Sequence, residues 1–138
     1  MSAKVFVDTN LLVYVHTRGD DARHARAAAL VTALWDRPGE IAVSIQVLQE
    51  LYVNLLRKGA IAPDAAARIV ENYFHWRVIE NDRVLLTAAM RLQSRWQLSL
   101  WDALVVAAAQ RSGAPELWSE DFSAGQDFDG CVVVHPLR

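Results

Sequence analysis

Four acidic residues stand where short apolar runs give way to polar sequence, and they are the candidates for chemistry. Asp8 closes the run Lys4–Val7. Asp121 follows the run Glu116–Trp118 after Ser119 and Glu120. Asp102 falls in the first turn of a helical segment that is otherwise almost wholly apolar, three residues behind Ser99. Glu50 lies mid-helix between Val47, Leu51 and Val53. Carboxylates brought together repel, and one is pushed toward its neutral form unless a cation sits among them. A set of oxygen donors without Cys or His suits Mg²⁺ or Mn²⁺. Mg²⁺ keeps several of its waters and pairs with phosphate-bearing partners, so the chemistry indicated is that of phosphate esters.

Each acid also has a plainer role. Asp8, in Asp8-Thr9-Asn10, fits a turn or cap before a helix. Ser99-Leu100-Trp101-Asp102 matches a capping box with Asp in place of the usual Glu. Asp121 fits the cap of a short turn, and Glu50 a solvated helix face. What favours chemistry is the conjunction. In an open α/β sheet, sites form beyond the carboxyl ends of the strands. Three of the acids fall at that edge, and the fourth rides a helix able to reach it.

The elements that must do this positioning follow from the hydrophobic pattern. Short apolar runs at Lys4–Val7, Ile41–Val43, Arg77–Glu80, Glu116–Trp118 and Cys131–Val134 read as buried strands. Between them lie helical segments: Leu11–His16, capped by Thr9 or Asn10; Asp21–Trp35, ended by Pro38-Gly39; Ile45–Arg57, capped by Ser44 and closed by Lys58-Gly59; Pro63 to about Phe74; Asp82–Trp96; and Trp101–Arg111, ended by Gly113. Strands alternating with helices predict an α/β fold, a three-layer sandwich with a five-stranded parallel sheet between helices.

Length and composition narrow the partners. A chain of 138 residues, 53% hydrophobic and 22% charged, is expected to form a single domain, 1–138, that buries a core without disulfides or a structural metal. The one cysteine, Cys131, reads as a buried, inert thiol and fits a reducing, cytoplasmic compartment. The apolar run ending at Asp8 is too short for a signal peptide, and no stretch reaches the ~20 apolar residues of a membrane span. A net charge of −2 argues against a coat protein that binds nucleic acid through phosphates alone. Arg18, Arg23 and Arg26 near one helix–helix turn, and Arg57 and Lys58 at a helix end, are the basic candidates for phosphate contact; a solvated face is the competing role. The four histidines show no metal-ligand spacing. Trp101 and Trp118 border the acids, where they could line a cleft or stack on a base, or serve packing.

Four segments also carry a family likeness. Val7-Asp8-Thr9-Asn10-Leu11-Leu12, Ser44 to Leu51 around Glu50, Leu98 to Leu104 around Asp102, and Leu117-Trp118-Ser119-Glu120-Asp121-Phe122 with its Val-Val-Val-His135-Pro136 tail resemble, in order and spacing, the four motifs of PIN-domain nucleases. The closest type is the VapC-like toxin of bacterial type II toxin–antitoxin pairs. The resemblance implies a Mg²⁺- or Mn²⁺-dependent endoribonuclease with an RNA substrate, a small antitoxin partner and a homodimeric state. It puts Asp8, Glu50, Asp102 and Asp121 in the catalytic and metal-binding positions, with Asn10 and Ser119 supporting them; Arg18 and Arg23 are substrate-contact candidates by their charge and clustering alone. Glu120, Asp127 and Asp129 are close enough in sequence to share the fourth acidic position.

Three other readings compete. A degenerate nuclease fold kept as a binding or dimerisation module would not require all four acids. An aspartyl-phosphate phosphatase would need a second Asp two residues after the first, where this chain has Asn10. An acidic-cleft DNA nuclease is not separated from a ribonuclease by the residues themselves, and only the resemblance turns the reading toward RNA.

Overall fold

Consecutive strand residues with no polar alternation need cover on both faces, and that need shapes the molecule. The computed structural model describes residues 2–17 and 21–138. Strands β1 (Val5–Val7) and β2 (Ile41–Ser44) are buried at every position. Helices α1 (Thr9–His16), α2 (Asp21–Leu34), α3 (Ile45–Arg57) and α4 (Pro63–Asn72) pack on one another as one group. Helices α5 (Arg83–Trp96) and α6 (Leu100–Ser112) pair as a second group. With β3 (Arg77–Ile79), β4 (Glu116–Trp118), β5 (Asp127–Phe128) and β6 (Cys131–Val134), the strands lie in the order β3-β2-β1-β4-β6-β5.

Five of these strands are the expected ones, all parallel along β3-β2-β1-β4-β6. The expectation of a five-stranded, wholly parallel sheet is corrected in one respect. A sixth, two-residue strand, β5, pairs antiparallel with β6 and makes the sheet mixed. Its signal is present in the sequence. Phe128 pairs with Cys131 across Asp129-Gly130, both at positive φ (56° and 100°), and Asp-Gly is the dipeptide that a tight hairpin turn of this hand favours. The Asp127 carboxylate fixes the turn by accepting from the Gly130 N–H at 2.7 Å.

The sheet order reverses direction between β1 and β4. From β1 the chain steps outward to β2 and β3 on one side, while β4, β6 and β5 build the other. A reversal of this kind opens a crevice at the carboxyl edge. Helix starts are nailed to that edge by side chains. Ser44 Oγ accepts from the Val47 N–H at 3.2 Å, and Ser99 Oγ from the Asp102 N–H at 3.1 Å. At α1 the cap is Asp8, in the plainer role read for it above, rather than Thr9 or Asn10. Helix α6 is buried at every position from Ala103 to Ala109, as its apolar circumference predicts.

At the other end of α6, Gly113 ends the helix at φ 76°, and a Cβ there would approach Ser2 Oγ to 2.6 Å. Gly113→Ala therefore forces an L-residue into the left-handed region against a contact. It should lower unfolding free energy by about 1–3 kcal/mol in chemical denaturation, with the fold retained.

Candidate active site

The acids converge where β1 and β4 end side by side. The Asp8 N–H donates to the Trp118 carbonyl at 3.0 Å, which carries the sheet register to the last residue before the loops. Asp8 is 2% exposed. Its Oδ2 accepts from the Ser119 hydroxyl at 2.7 Å and its Oδ1 from the Thr9 N–H at 2.7 Å. Ser119, also buried, accepts in turn from the Asp121 N–H at 3.0 Å and so sets the loop that presents Asp121. Asp121 is exposed, and its Oδ1 accepts from Asn10 Nδ2 at 3.0 Å. The polar residues expected to support the acids, Asn10 and Ser119, thus each hold one of them.

Glu50 enters from α3 with both oxygens engaged. Oε2 accepts from the Thr9 hydroxyl at 2.8 Å, and Oε1 from Gln46 Nε2 at 2.9 Å. Gln46, one turn earlier and buried, also donates to the Trp101 carbonyl at 3.2 Å, tying α3 to the start of α6 beside Asp102. Gln46 and the Thr9 hydroxyl are the site residues that the sequence reading missed. Gln46 had a signal: it is a polar residue on the buried face of an amphipathic helix, four positions before Glu50.

The electrostatics show which charges share the site. Burial pushes the Asp8 carboxyl up to about 7. The bonds from Ser119 and Thr9 oppose the rise, and the charges of Asp121 and Glu50 add to it. Asp102 is also raised, first by burial and then by Asp121, with Ser99 opposing and Glu50 adding. Ser99 thus caps α6 through the Asp102 N–H, while the Asp102 carboxyl answers to the same neighbouring charges as Asp8. The contenders for the fourth position are engaged elsewhere. Glu120 pairs with Arg23 at 3.4 Å, Asp127 holds the β5–β6 turn, and Asp129 pairs with Arg95 at 2.8 Å. The geometry draws in Asp121.

Among the described residues, no three Asp, Glu, His or Cys side chains form a closed group around one point. What fits a divalent cation is the donor set: carboxylate oxygens only, with Asp8 and Asp102 both penalised by their neighbours' charge, a penalty that a dication offsets.

The remaining candidates fall at the rim or outside. Arg23 donates to the Tyr14 hydroxyl at 2.6 Å and lies over its ring at 5.3 Å, while Arg26 bonds the Leu137 carbonyl. Arg18 lies outside the described residues. Trp101 is 65% exposed beside Asp102, whereas Trp118 is tied down by Glu116 Oε1 at 2.9 Å. The histidines bond Tyr73 (His16), Tyr14 (His24), Asn72 (His75) and Phe122 (His135), and none joins the acids. Cys131 is buried and its thiol pushed up to about 11, chiefly by burial, in keeping with an inert role.

A mainly parallel sheet with carboxylates gathered near its switch point defines a class that the comparisons identify. The chain belongs to the PIN domain family, whose model matches residues 5–124. It is 29% identical to Ribonuclease VapC24 of Mycobacterium tuberculosis over 144 aligned positions, covering 95% of each chain. It is similar to the crystal structure of M. tuberculosis VapC20, a Sarcin–Ricin loop cleaving toxin, at a TM-score of 0.67 and 26% identity, over 86% of this chain and 92% of that one. A toxin–antitoxin complex from Klebsiella pneumoniae matches at 0.68 and 22% identity over 97% and 98%. The last likeness is one of fold.

The raised Asp8 has a consequence for stability in metal-free buffer. The native state keeps its proton up to about pH 7, while the unfolded chain releases it near pH 4. The native state thus binds more protons across that window, so its stability falls as pH rises through it, by at most about 1.4 kcal/mol per pH unit from this group. Urea titrations from pH 4 to 8 should show that fall, and Asp8→Asn should flatten it. A wild-type profile that rises over the same range would mean that Asp8 ionises normally.

Proposed function

We propose that this chain is a Mg²⁺- or Mn²⁺-dependent endoribonuclease, the toxin of a toxin–antitoxin pair that a small antitoxin neutralises in the cytoplasm. The observation that carries the reading is the buried Asp8 held at the switch point, with Glu50 and Asp121 close enough to bias both its ionisation and that of Asp102. Family membership and the ribonuclease and toxin names of the relatives support the RNA substrate and the antitoxin. Homodimerisation belongs to the same reading through the family. Nothing in the site favours a module that has lost its chemistry.

Asp8 and Asp102 would be the principal metal ligands, with Glu50 and Asp121 completing the set. When bound, a divalent cation there supplies charge neutralisation on a phosphate and acidifies water. The chain's own residues do the rest. Thr9 and Gln46 hold Glu50 in one orientation, with a carboxylate placed to accept a proton from the attacking water. The water oxygen bonds to phosphorus and the bond to the ribose 3′ oxygen breaks. That oxygen takes up a proton and leaves as a 3′-hydroxyl, so the other fragment carries a 5′-phosphate. The ribose 2′-hydroxyl takes no part in the bond changes. Ser119 keeps Asp8 oriented, and Asn10 keeps Asp121 at the mouth.

Purified, partner-free protein incubated with total RNA should cut it only with Mg²⁺ or Mn²⁺, leaving 5′-phosphate ends. Asp8→Asn should lose at least about 100-fold in rate. Asp102→Asn should lose activity to a similar degree while its metal-free thermal midpoint holds or rises, because repulsion is relieved. If Asp102→Asn instead unfolds more easily and still cuts RNA, Asp102 is a cap alone. If folded wild-type protein neither cuts RNA nor binds either metal in calorimetry, the ribonuclease reading fails.

A further inference from the structure

Beside the acids, α1 and α3 face each other across a polar groove of about 250 Å³ lined by Thr9, Asn10, Val13, Tyr14, Glu50, Asn54 and Lys58. Its α3 wall is built on one stripe. Glu50, Asn54 and Lys58 are four residues apart and share a helix face, which puts Lys58 roughly 12 Å along the axis from Glu50. The groove therefore has a carboxylate at one end and an ammonium at the other. Lys58 has no ion pair or side-chain hydrogen bond among the described residues. Asn54 spends its Nδ2 on the Glu50 carbonyl at 2.8 Å, and its Oδ1 has no partner among the described residues. On the facing wall, the Tyr14 hydroxyl accepts from Arg23, whose charge is paired with Glu120.

A helix-end lysine is commonly explained by the helix dipole, but that requires only the charge, not a place in a polar cleft continuous with the acids. We propose that this groove is a subsite for one ribose-phosphate unit of the RNA strand beside the scissile phosphate, with Lys58 paired to its phosphate. The subsite rests on the ribonuclease reading above and deepens it. The protein as a whole is slightly acidic, and the acids repel a polyanion, so a local cation at a fixed distance from them is what registers the strand.

The test is binding of a short, mixed-sequence single-stranded RNA to the full chain carrying Asp8→Asn, followed by fluorescence anisotropy over a range of salt. Adding Lys58→Ala should weaken binding about three- to tenfold at about 0.1 M salt and reduce the slope of log affinity against log salt by about 0.7. Lys58→Arg should keep both. Arg83→Ala, which removes a charge next to the Arg111–Asp82 pair at the far end of α6, should change neither. In the cleaving protein, Lys58→Ala should raise KM and leave kcat in place. Unchanged affinity and slope in Lys58→Ala, with wild-type protein cutting the same RNA, would overturn the subsite alone. Wild-type protein that neither binds nor cuts the RNA would overturn the ribonuclease reading and the subsite with it.

Discussion

Dehydrating a carboxylate is costly unless hydrogen bonds or a counter-charge replace the water it loses, and this molecule does so at the centre of its sheet. Asp8 is 2% exposed and receives two short hydrogen bonds, from Ser119 and Thr9. Those bonds oppose but do not cancel the penalty, since the carboxyl stays well above its ordinary range. Much of the local architecture serves this one group. The register of β1 on β4 brings Ser119 to it, Thr9 begins α1 on it, and the next residues of each loop deliver Asp121 and Asn10. A site that holds its own charge in tension is one whose repulsion a counter-charge would relieve.

Much of this was legible in the sequence because the signals are local. Three acids follow apolar strands or open a buried helix, and strand ends at one edge of a parallel sheet are neighbours in space whatever their separation along the chain. The five parallel strands and the serine caps at Ser44 and Ser99 were readable from period and chemistry alike. Asp8 and Asp102 each had a capping reading and a site reading; the structure makes Asp8 the cap of α1, gives the cap of α6 to Ser99, and places both carboxyls within reach of the charges of Asp121 and Glu50.

What was not legible depended on pairings that one segment cannot announce. Choosing Asp121 over Glu120, Asp127 and Asp129 required knowing that Arg23, a turn and Arg95 engage the others. Gln46 reads as an ordinary helix residue until α6 places the Trp101 carbonyl within its reach. The sixth strand was missed for a different reason: its Asp-Gly turn was visible, but two residues carry too little alternation to stand out as a strand.

The bond between Ser119 and Asp8 joins residues 111 positions apart, and so does that between Asn10 and Asp121. Contacts of such long range close late, because the entropy of a large loop must be offset before they return anything. They also have a strict order in synthesis. In synthesis Asp8 is made 111 residues before Ser119, its partner, and Asn10 as far ahead of Asp121. Until β4 is made, β1 lacks its partner on that edge, and the acidic edge comes into being only after Ser119 and Asp121 have been added. For the nuclease proposed above, a centre that cannot assemble until more than a hundred further residues have followed Asp8 is a safeguard contained in strand order alone.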